Sequence, residues 1–550
     1  MIVNDIVPQW FQNAVIYEIY PQSFCDSNAD GIGDLPGIIA KLDYVASLGV
    51  NAIWLNPCFD SPFQDAGYDV RDYYRVADRY GTNDDLKALF REAGARGIRV
   101  LLDLVPGHTS LAHPWFVASA SREKTPFDNY YCWTRGRREN TGGYRFVSGI
   151  AERDGFFMIN YFSCQPALNY GFVDPDPQCP WQLPADHPDV LKVREEMRNV
   201  MRFYLDMGCS GFRVDMARTL VRGRDPELVQ RGLCDLWRDY RSWMRKNYPE
   251  AVLISEWSRP GDSVDAGFDA DFLLSLHEFA PAFASLYRKM EPVPDQPYRL
   301  LPVGRSFFSP DSTGDSRTFS QAMQREIEKT SGRGYVSIVT GNHDLIRLRC
   351  GKGMTEMKLA MLAVFTLPGV PTLYYGDEIG MRYVEGVGNV EGSYDRGGSR
   401  TPMQWAPGER AGFSAASPEK FYLPLDPDPE RPNVVAQDAD PQSLLNLTRR
   451  LIAFRRSHAA LGANGDYRVI ESEERDAPWI YLRSGGGELF LIVLNPCGRS
   501  FRRYVGVPAD MRRLDAVGEV VLSAESGRSR LDMAPHSGAL FFCADAAPEA

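Results

Sequence analysis

The sequence predicts an α/β fold built around a (β/α)₈ or TIM barrel. Apolar, strand-like runs that end in polar residues recur through most of the chain, and helical patterns separate several of them. Four of these runs end in Asp, Glu, His or Arg: Asp103-Leu-Val-Pro-Gly-His108, Gly211-Phe-Arg-Val-Asp215, Ile254-Ser-Glu256 and Gly341-Asn-His-Asp344. In such a barrel the carboxyl ends of the strands face one pocket, so we expect these distant residues to share a site.

Eight short apolar runs predict the barrel strands. In chain order they are Val15–Tyr20, Ala52–Leu55, Val100–Val105, Gly211–Val214, Val252–Ile254, Phe268–Leu274, Tyr335–Val339 and Thr372–Tyr375. Between the second and third runs, capping residues from Thr82 and a closing Gly97 indicate a helix. A further helix over Leu444–His458 is expected to close the barrel.

Two irregular stretches are expected to enlarge the barrel. Residues 108–189, which follow the third strand, are rich in Tyr, Trp, Gly, Asn and Pro and predict a small inserted domain. Residues 384–440 predict a loop insertion after the eighth strand. The barrel domain then comprises residues 1–107 and 190–463, and short alternating segments predict a C-terminal antiparallel β-sandwich over 464–550.

Composition narrows the class of partner and the compartment. The 550 residues carry a formal net charge of −11, which argues against nucleic acid or an anionic membrane as the main partner. The N-terminus does not resemble a signal peptide, and the longest apolar run, Leu359–Leu367, is far shorter than the ~20 residues of a membrane span. The ten cysteines form no CxxC pair, which favours free thiols over disulfides. We expect a cytoplasmic monomer or homodimer without an organic cofactor.

The carboxylates at the strand ends match the requirements of glycosidic bond cleavage with retention. That reaction needs one nucleophilic carboxylate and one carboxylic acid, and its cationic transition state favours nearby negative charge. Arg213 lies two residues before Asp215 on the same strand face, so we expect it to orient that carboxylate and keep it ionised. Glu256 is expected to keep its proton. Each carboxylate alone could equally be a helix cap or an ion-pair partner, but the ordered set favours a catalytic site.

With these motifs the chain resembles glycoside hydrolase family 13, the α-amylase superfamily. Further matching segments are Gly49-Val-Asn-Ala-Ile-Trp-Leu-Asn-Pro57, Gln165-Pro-Ala-Leu-Asn169 and Gly369-Val-Pro-Thr-Leu-Tyr-Tyr-Gly-Asp-Glu378. The resemblance implies that Asp215 is the nucleophile, Glu256 the general acid/base and Asp344 the transition-state stabiliser. It also implies that the sugar in subsite −1 is held by His108, Arg213 and His343, and that Asp103 is a structural carboxylate near Arg213.

Within the family the chain is most similar to the α-glucosidase and oligo-1,6-glucosidase group. The segments that carry this similarity are Asn13-Ala-Val-Ile-Tyr-Glu-Ile-Tyr-Pro-Gln-Ser-Phe24, Ser61-Pro-Phe-Gln-Asp-Ala-Gly-Tyr-Asp69 and Arg400-Thr-Pro-Met-Gln-Trp405. The similarity implies that Asp65 and Arg400 grip the non-reducing sugar and close the pocket, and that Tyr68 stacks on that sugar. A surface ion pair is the alternative for Asp65 and Arg400.

Three positions depart from the family pattern. Gly107 stands where an asparagine usually precedes the first-motif histidine, and Ala167 replaces an aspartate. Met216 follows the expected nucleophile, where the group carries smaller residues that help to choose α-1,4 from α-1,6 bonds. The segment Met216-Ala-Arg218-Thr219 also lacks the Lys-His of the endo-acting α-amylases. Linkage preference is therefore open.

One loop alternates oxygen-bearing side chains around glycine, as calcium loops do. Its expected ligands are the side chains of Asp26, Asn28, Asp30 and Asp34 and the carbonyl of Ile32. Ca²⁺ is the expected ion, with Mg²⁺ second, in a structural role away from the sugar. The alternative is a metal-free turn rich in Asp and Asn.

Three functions are compatible with this reading. The first is a retaining α-glucoside hydrolase that releases glucose from the non-reducing end of small oligosaccharides. The second is a transferase or isomerase that uses the same glucosyl intermediate, as trehalose synthases and sucrose isomerases do. The third is a non-catalytic binding subunit with a barrel fold, like the heavy chains of amino-acid transporters, and the complete set of carboxylates argues against it.

Overall fold

A closed barrel of eight parallel strands, ordered around the ring as they are in the chain, forms the centre of the fold. The computed structural model describes residues 7–136, 139–273, 281–287, 290–293, 296–302, 306–312, 315–470 and 478–544. The barrel strands are Ile16–Ile19, Ala52–Leu55, Arg99–Leu104, Gly211–Val214, Val252–Ser255, Ala270–Leu273, Tyr335–Val339 and Val370–Tyr374. All eight predicted strands are confirmed within two residues, and the last residue predicted for the sixth, Leu274, lies outside the described residues.

Helices follow the strands, as expected for a (β/α)₈ barrel. The described helices are Leu35–Ala40, Leu42–Ser47, Asn83–Ala95, Pro114–Ser119, Pro188–Met207, Pro226–Asn247, Pro260–Asp265, Pro281–Tyr287, Arg317–Thr330, Met354–Thr366, Val434–Asp438 and Leu444–Ser457. The predicted cap at Thr82 is a capping box, because its hydroxyl accepts from the Asp85 N–H while the Asp85 carboxylate accepts from the Thr82 N–H. That reciprocal pair fixes the start of the helix before the third strand.

Close packing inside the barrel sets the position of the strands. The ring of Trp54 stacks on that of Phe272 at 5.0 Å between centroids, across the barrel interior. The fourth strand begins at Gly211, whose φ is +138° and where a Cβ would lie 2.2 Å from the carbonyl oxygen of Val252. Only glycine fits this close approach. The beginning of the fourth strand, whose other end leads to Asp215, is thereby held against the beginning of the fifth.

The segment of residues 105–187, between the third strand and the helix Pro188–Met207, is mostly irregular in its described residues. It contains the short helix Pro114–Ser119 and the antiparallel strands Phe146–Val147 and Phe157–Met158. A backbone bridge joins His108 to Ala167, so the end of this segment packs against the end of the third strand. A second small antiparallel pair, Phe59–Asp60 with Asp72–Val76, follows the second strand, and Met290–Val293 pairs with Gln296–Pro302 after the sixth.

The C-terminal part consists of two antiparallel sheets, as predicted. The five-stranded sheet contains, in spatial order, Asp466–Val469, Trp479–Gly485, Glu488–Asn495, Ser537–Ala544 and Arg512–Val517. The three-stranded sheet contains Phe501–Val505, Arg528–Met533 and Val520–Glu525. Buried side chains from both sheets, such as Leu491 and Leu531, form one apolar core between them. Among the described helices, none combines the length and the apolar character needed to cross a membrane.

Candidate active site

Arg213 joins the carboxylates that end three neighbouring barrel strands. Its Nη1 donates to Oδ1 of Asp103 at 2.8 Å and to Oδ1 of Asp215 at 3.1 Å. Its Nη2 lies 3.0 Å from Oε2 of Glu256. The side chains of Arg213 and Asp103 are 1% and 0% exposed, whereas those of Asp215 and Glu256 keep 10% and 18%. The last two carboxylates are therefore partly accessible, whereas Asp103 is enclosed by the protein.

Asp103 has the contacts of a structural carboxylate. Its Oδ2 accepts from the indole of Trp54 at 3.0 Å and from the hydroxyl of Tyr68 at 2.9 Å. Its other oxygen is bound to Arg213. With both oxygens satisfied inside the protein, Asp103 serves to hold the Arg213 guanidinium in place.

The charge on Asp215 differs from the sequence-based expectation. Burial and the neighbouring charge of Glu256 raise the pKa of the Asp215 carboxyl well above its ordinary value, and Arg213 opposes that rise without cancelling it. The guanidinium orients Asp215 as predicted, but it is shared by three carboxylates, so the cluster has excess negative charge. In the free protein, this cluster of carboxylates therefore raises the proton affinity of Asp215.

His343 and Asp344, which follow the seventh strand, form the opposite side of the site. His343 lies between Glu18, 2.8 Å from its Nδ1, and Asp344, 3.2 Å from its Nε2. Burial alone would lower the pKa of His343, but the two carboxylates outweigh it and raise the pKa to about 9. Burial would likewise raise the pKa of Asp344, but His343 and Arg396 outweigh it, and the pKa lies well below its ordinary value. The pair is an imidazolium and a carboxylate at neutral pH.

Asp65 forms its ion pair with Arg396, and the binding of the sugar by Asp65 and Arg400 stays a prediction. Nη2 of Arg396 lies 3.2 Å from Oδ1 of Asp65, and Nη1 of Arg396 lies 2.8 Å from Oδ1 of Asp344. Arg400 reaches the same oxygen of Asp344 at 3.0 Å and donates from Nε to the carbonyl of His343 at 2.7 Å. Both arginines thus lie at the site, but Asp65 pairs with Arg396. Its second oxygen accepts from Gln165 at 2.7 Å.

Sequence reasoning missed Arg396 because two arginines lie four residues apart in one irregular loop. The short 3₁₀ turn Tyr394–Ser399 carries Arg396 towards Asp65 and leaves Arg400 at its end. The turn is tight: a Cβ at Gly398 would lie 2.3 Å from the carbonyl oxygen of Val384. The sequence did contain one signal, namely two arginines close together in this loop. Several buried carboxylates need more than one cation to balance their charge.

Tyr68 and His108 are bound to other protein groups. The Tyr68 hydroxyl, besides Asp103, lies 2.7 Å from His343 Nε2, and the two rings stack at 5.4 Å. Nε2 of His108 lies 3.1 Å from the carbonyl oxygen of Tyr68, and Nδ1 lies 3.0 Å from the amide nitrogen of Asn160. Burial lowers the pKa of His108 to about 4, so the ring is neutral. Asn160 is a second site residue that the sequence analysis missed.

Two departures from the family pattern have structural counterparts. Met216 has a left-handed backbone, φ +43°, and its N–H donates to Oε2 of Glu256 at 2.9 Å. A non-glycine residue in that region is strained, and such strain is concentrated at functional sites. Ala167 is fully buried and pairs with His108 through the backbone, so this position contributes no charge to the site.

In the predicted metal loop, side-chain oxygens accept hydrogen bonds from backbone N–H groups of the same loop. An oxygen of Asp26 accepts from the N–H of Asn28, an oxygen of Asn28 from that of Asp30, and an oxygen of Asp30 from that of Ile32. Asp34 caps the following helix. These contacts are typical of a turn rich in Asp and Asn that needs no metal, which is the alternative to a calcium loop. Among the described residues, no group of three or more His, Cys, Asp or Glu could hold a metal ion. Binding of Ca²⁺ or Mg²⁺ stays a prediction.

A closed (β/α)₈ barrel with converging carboxylates and a shared arginine at its strand ends defines the class of barrel-fold glycoside hydrolases. The family model described as the catalytic domain of alpha amylase matches residues 18–464. The chain therefore belongs to the alpha-amylase family, glycoside hydrolase family 13, as its motifs predicted.

Relatives of the chain include both hydrolases and synthases. It is 34% identical to the oligo-1,6-glucosidase of Parageobacillus thermoglucosidasius, over 88% of this chain and 90% of that one. It is also 34% identical to the trehalose synthase/amylase TreS of Mycobacterium tuberculosis, over 82% of this chain and 76% of that one. Among solved structures, an isomaltulose synthase from Erwinia rhapontici NX5 in complex with D-glucose superposes with a TM-score of 0.79 at 25% identity, covering 98% and 99% of the two chains.

Proposed function

We propose that the protein hydrolyses α-glucosidic bonds with retention and releases glucose from the non-reducing end of short α-gluco-oligosaccharides. The observation that carries this proposal is the position of Asp215 and Glu256 on the two terminal nitrogens of the Arg213 guanidinium, at 3.1 and 3.0 Å. Retaining glycosidases need two carboxyl groups about 5 Å apart. One guanidinium that binds both carboxyls keeps them close to that separation.

The two carboxyl groups have complementary roles in the proposed mechanism. Asp215 attacks the anomeric carbon while Glu256 protonates the leaving oxygen, which gives a covalent glucosyl ester on Asp215. Glu256, now a carboxylate, then removes a proton from water, and the water displaces Asp215. Burial and the neighbouring Glu256 raise the pKa of the Asp215 carboxyl in the free site, so the proposed mechanism requires Asp215 to be ionised when the substrate is bound.

Asp344 and the residues around it support stabilisation of the transition state and recognition of a chain end. The lowered pKa keeps Asp344 anionic, so its charge favours the cationic sugar. Asp65, Arg396 and Asp344 form a continuous ion-paired wall on this side of the site. In this proposal the wall accepts the hydroxyls of a terminal sugar and closes the pocket behind it. In this proposal His108, Arg213, His343 and Tyr68 surround that sugar, and Arg400 holds Asp344.

Transfer of the glucosyl group to another sugar is the second candidate function. The relatives favour it, since they include a trehalose synthase of Pimelobacter that is 32% identical over 92% of this chain. Hydrolysis and transfer share the covalent intermediate and differ in whether water or a sugar attacks it.

An NMR time course with maltotriose tests both functions. Release of α-glucose and maltose supports the hydrolase, and new glycosidic linkages with little free glucose support the transferase. Asp215→Asn is expected to lower kcat by about 10³-fold or more, and Glu256→Gln by about 10²- to 10⁴-fold. Asp215→Asn within tenfold of wild type contradicts the nucleophile assignment. Absence of turnover on maltotriose, isomaltose, sucrose and trehalose favours the non-catalytic binding subunit.

The proposed setting is the cytoplasm, with a small oligosaccharide as the partner. All ten cysteines are free thiols, and most are buried, which supports a reducing compartment. The proposed assembly is a monomer or homodimer, which size-exclusion chromatography with light scattering distinguishes.

A further inference from the structure

The missing side chain at Gly107 leaves space beside His108, and Asn160 fills it. A Cβ built at Gly107 would lie 2.7 Å from Nδ2 of Asn160, which is too close for an unperturbed contact. Gly107 has no left-handed backbone that would demand glycine. The constraint at this position is therefore the neighbouring amide, and any larger residue at 107 would displace it.

A small hairpin delivers Asn160 to this position. Within residues 158–167, the N–H of Asn160 donates to the carbonyl of Gln165 at 3.0 Å, and the N–H of Ala167 donates to the carbonyl of Met158 at 2.9 Å. The hairpin is anchored to the barrel, because the N–H of Leu168 donates to the carbonyl of Gly107 at 3.0 Å. The same hairpin carries Gln165, whose side chain binds Asp65. One element thus supplies an amide to each side of the site.

The Asn160 amide defines the hydrogen positions on the His108 ring. Nε2 of His108 faces the carbonyl of Tyr68, which only accepts, so Nε2 carries the hydrogen. The neutral ring then has a bare Nδ1, and Asn160 donates to it at 3.0 Å. An aliphatic residue at 160 would leave that buried nitrogen without a donor, and a carboxylate would place an acceptor against it.

The same amide group contacts the residue that follows Asp215. Nδ2 of Asn160 lies 3.8 Å from the sulfur of Met216. The N–H of Met216 binds Glu256, so Met216 is fixed at one end by that carboxylate and packs at the other against Asn160. Two positions that depart from the family pattern, Gly107 and Met216, are therefore joined through one side chain.

We propose that Asn160 is a positioning residue that fixes the tautomer and orientation of His108 and, through Met216, the geometry at the bond being cleaved. The inference rests on the proposed function for its catalytic consequence, but its structural part does not. It predicts that changes at Asn160 alter the preference between α-1,4 and α-1,6 bonds as well as the overall rate.

The decisive variant is Asn160→Asp, which keeps the shape and replaces the donor by an acceptor. With ¹⁵N-labelled histidine, the NMR signals of His108, assigned by comparison with His108→Gln, are expected to show hydrogen on Nε2 only in the wild type. In Asn160→Asp hydrogen is expected on Nδ1 as well as on Nε2, because both ring nitrogens then face acceptors. Asn140→Asp is the matched control, since this exposed asparagine of the same irregular segment uses its side-chain oxygen as an acceptor. An unchanged His108 signal in Asn160→Asp overturns the proposal.

Kinetics with maltose and isomaltose supply the second measurement. Asn160→Ala is expected to lower kcat/KM by about 10-fold, the cost of a lost buried hydrogen bond, and to shift the maltose-to-isomaltose ratio. Gly107→Ala should have a similar effect alone and little further effect in the Asn160→Ala background, because the displaced group is already absent. Additive effects, or an unchanged ratio, count against the proposal. If the wild type turns over neither sugar, the proposed function fails, and the histidine spectra still decide the position of the His108 hydrogen.

Discussion

Replacing Glu18 by glutamine should lower the pKa of His343 and shift the alkaline limit of activity to lower pH. Glu18 is fully buried, and its Oε1 lies 2.8 Å from Nδ1 of His343. Asp344 occupies the other ring nitrogen, and Tyr68 also faces the ring. The glutamine side chain has almost the same shape and still offers a carbonyl oxygen to Nδ1. The substitution therefore removes the charge and keeps the packing.

The size of the effect follows from the position of His343 between two carboxylates. Its pKa rises from 6.5 to about 9, which corresponds to about 3 kcal/mol in favour of the charged ring. A folded pKa above the unfolded value means that this stabilisation is fully present below pH 6.5 and is lost as pH rises through about 9. One adjacent carboxylate shifts a pKa by about 1 unit or more. Glu18→Gln should therefore bring the alkaline loss of stability and activity to lower pH by about one unit.

The measurements are kcat/KM and melting temperature from pH 5 to about 10, together with an NMR titration of His343. Glu378→Gln is the matched control, because Glu378 is also fully buried but accepts from the hydroxyls of Tyr17 and Tyr44, not from a histidine. The reasoning is refuted if Glu18→Gln leaves the pKa of His343 in place, or if Glu378→Gln moves it equally.

Two further predictions concern the wall of the site and the loop at residues 26–34. In Arg396→Lys, the side chain cannot bind Asp65 and Asp344 with two separate nitrogens, so kcat/KM should fall about 10- to 100-fold, mainly through a higher KM. The control is Arg410→Lys, a change at an exposed arginine in the same region. An unchanged KM in Arg396→Lys contradicts the role of Arg396 in substrate binding. Elemental analysis is expected to find Ca²⁺ bound, and a chelator should lower the melting temperature in wild type but not in Asp30→Ala. A metal-free protein with an unchanged melting temperature means that the loop is held by its own hydrogen bonds.

The barrel could be predicted from the sequence because its strands are buried on both faces. Such strands appear as continuous apolar runs, as in Ala52–Leu55 and Val252–Ser255. The sequence pattern predicted the ends of the helices less accurately than the strands. The inserted domain was expected to run to residue 189, but the helix Pro188–Met207 begins before that limit, because Nδ1 of His187 accepts from the N–H of Asp189 and serves as a cap. Histidine is not a usual capping residue, so the pattern carried no signal for it.

The candidate site was predictable where residues follow strands and less so where they lie in loops. Asp215 and Glu256 are placed by regular strands, whose geometry repeats. Arg396 and Asn160 are placed by a 3₁₀ turn and a hairpin whose paths no local pattern specifies. The raised pKa of Asp215 was missed for a different reason, since it depends on how many carboxylates share Arg213, a property of the assembled cluster.

The sharing of Arg213 among three strand ends also constrains when the protein becomes competent during folding. Because side chains alternate along a strand, a slip of one position would turn Asp103 or Glu256 away from the guanidinium. A partly closed barrel would then hold an unpaired buried cation, an arrangement that costs several kcal/mol and does not persist. During refolding, enzymatic activity is thus expected to appear only when the barrel is fully closed with its strands in the correct register. Partly assembled forms are expected to be inactive.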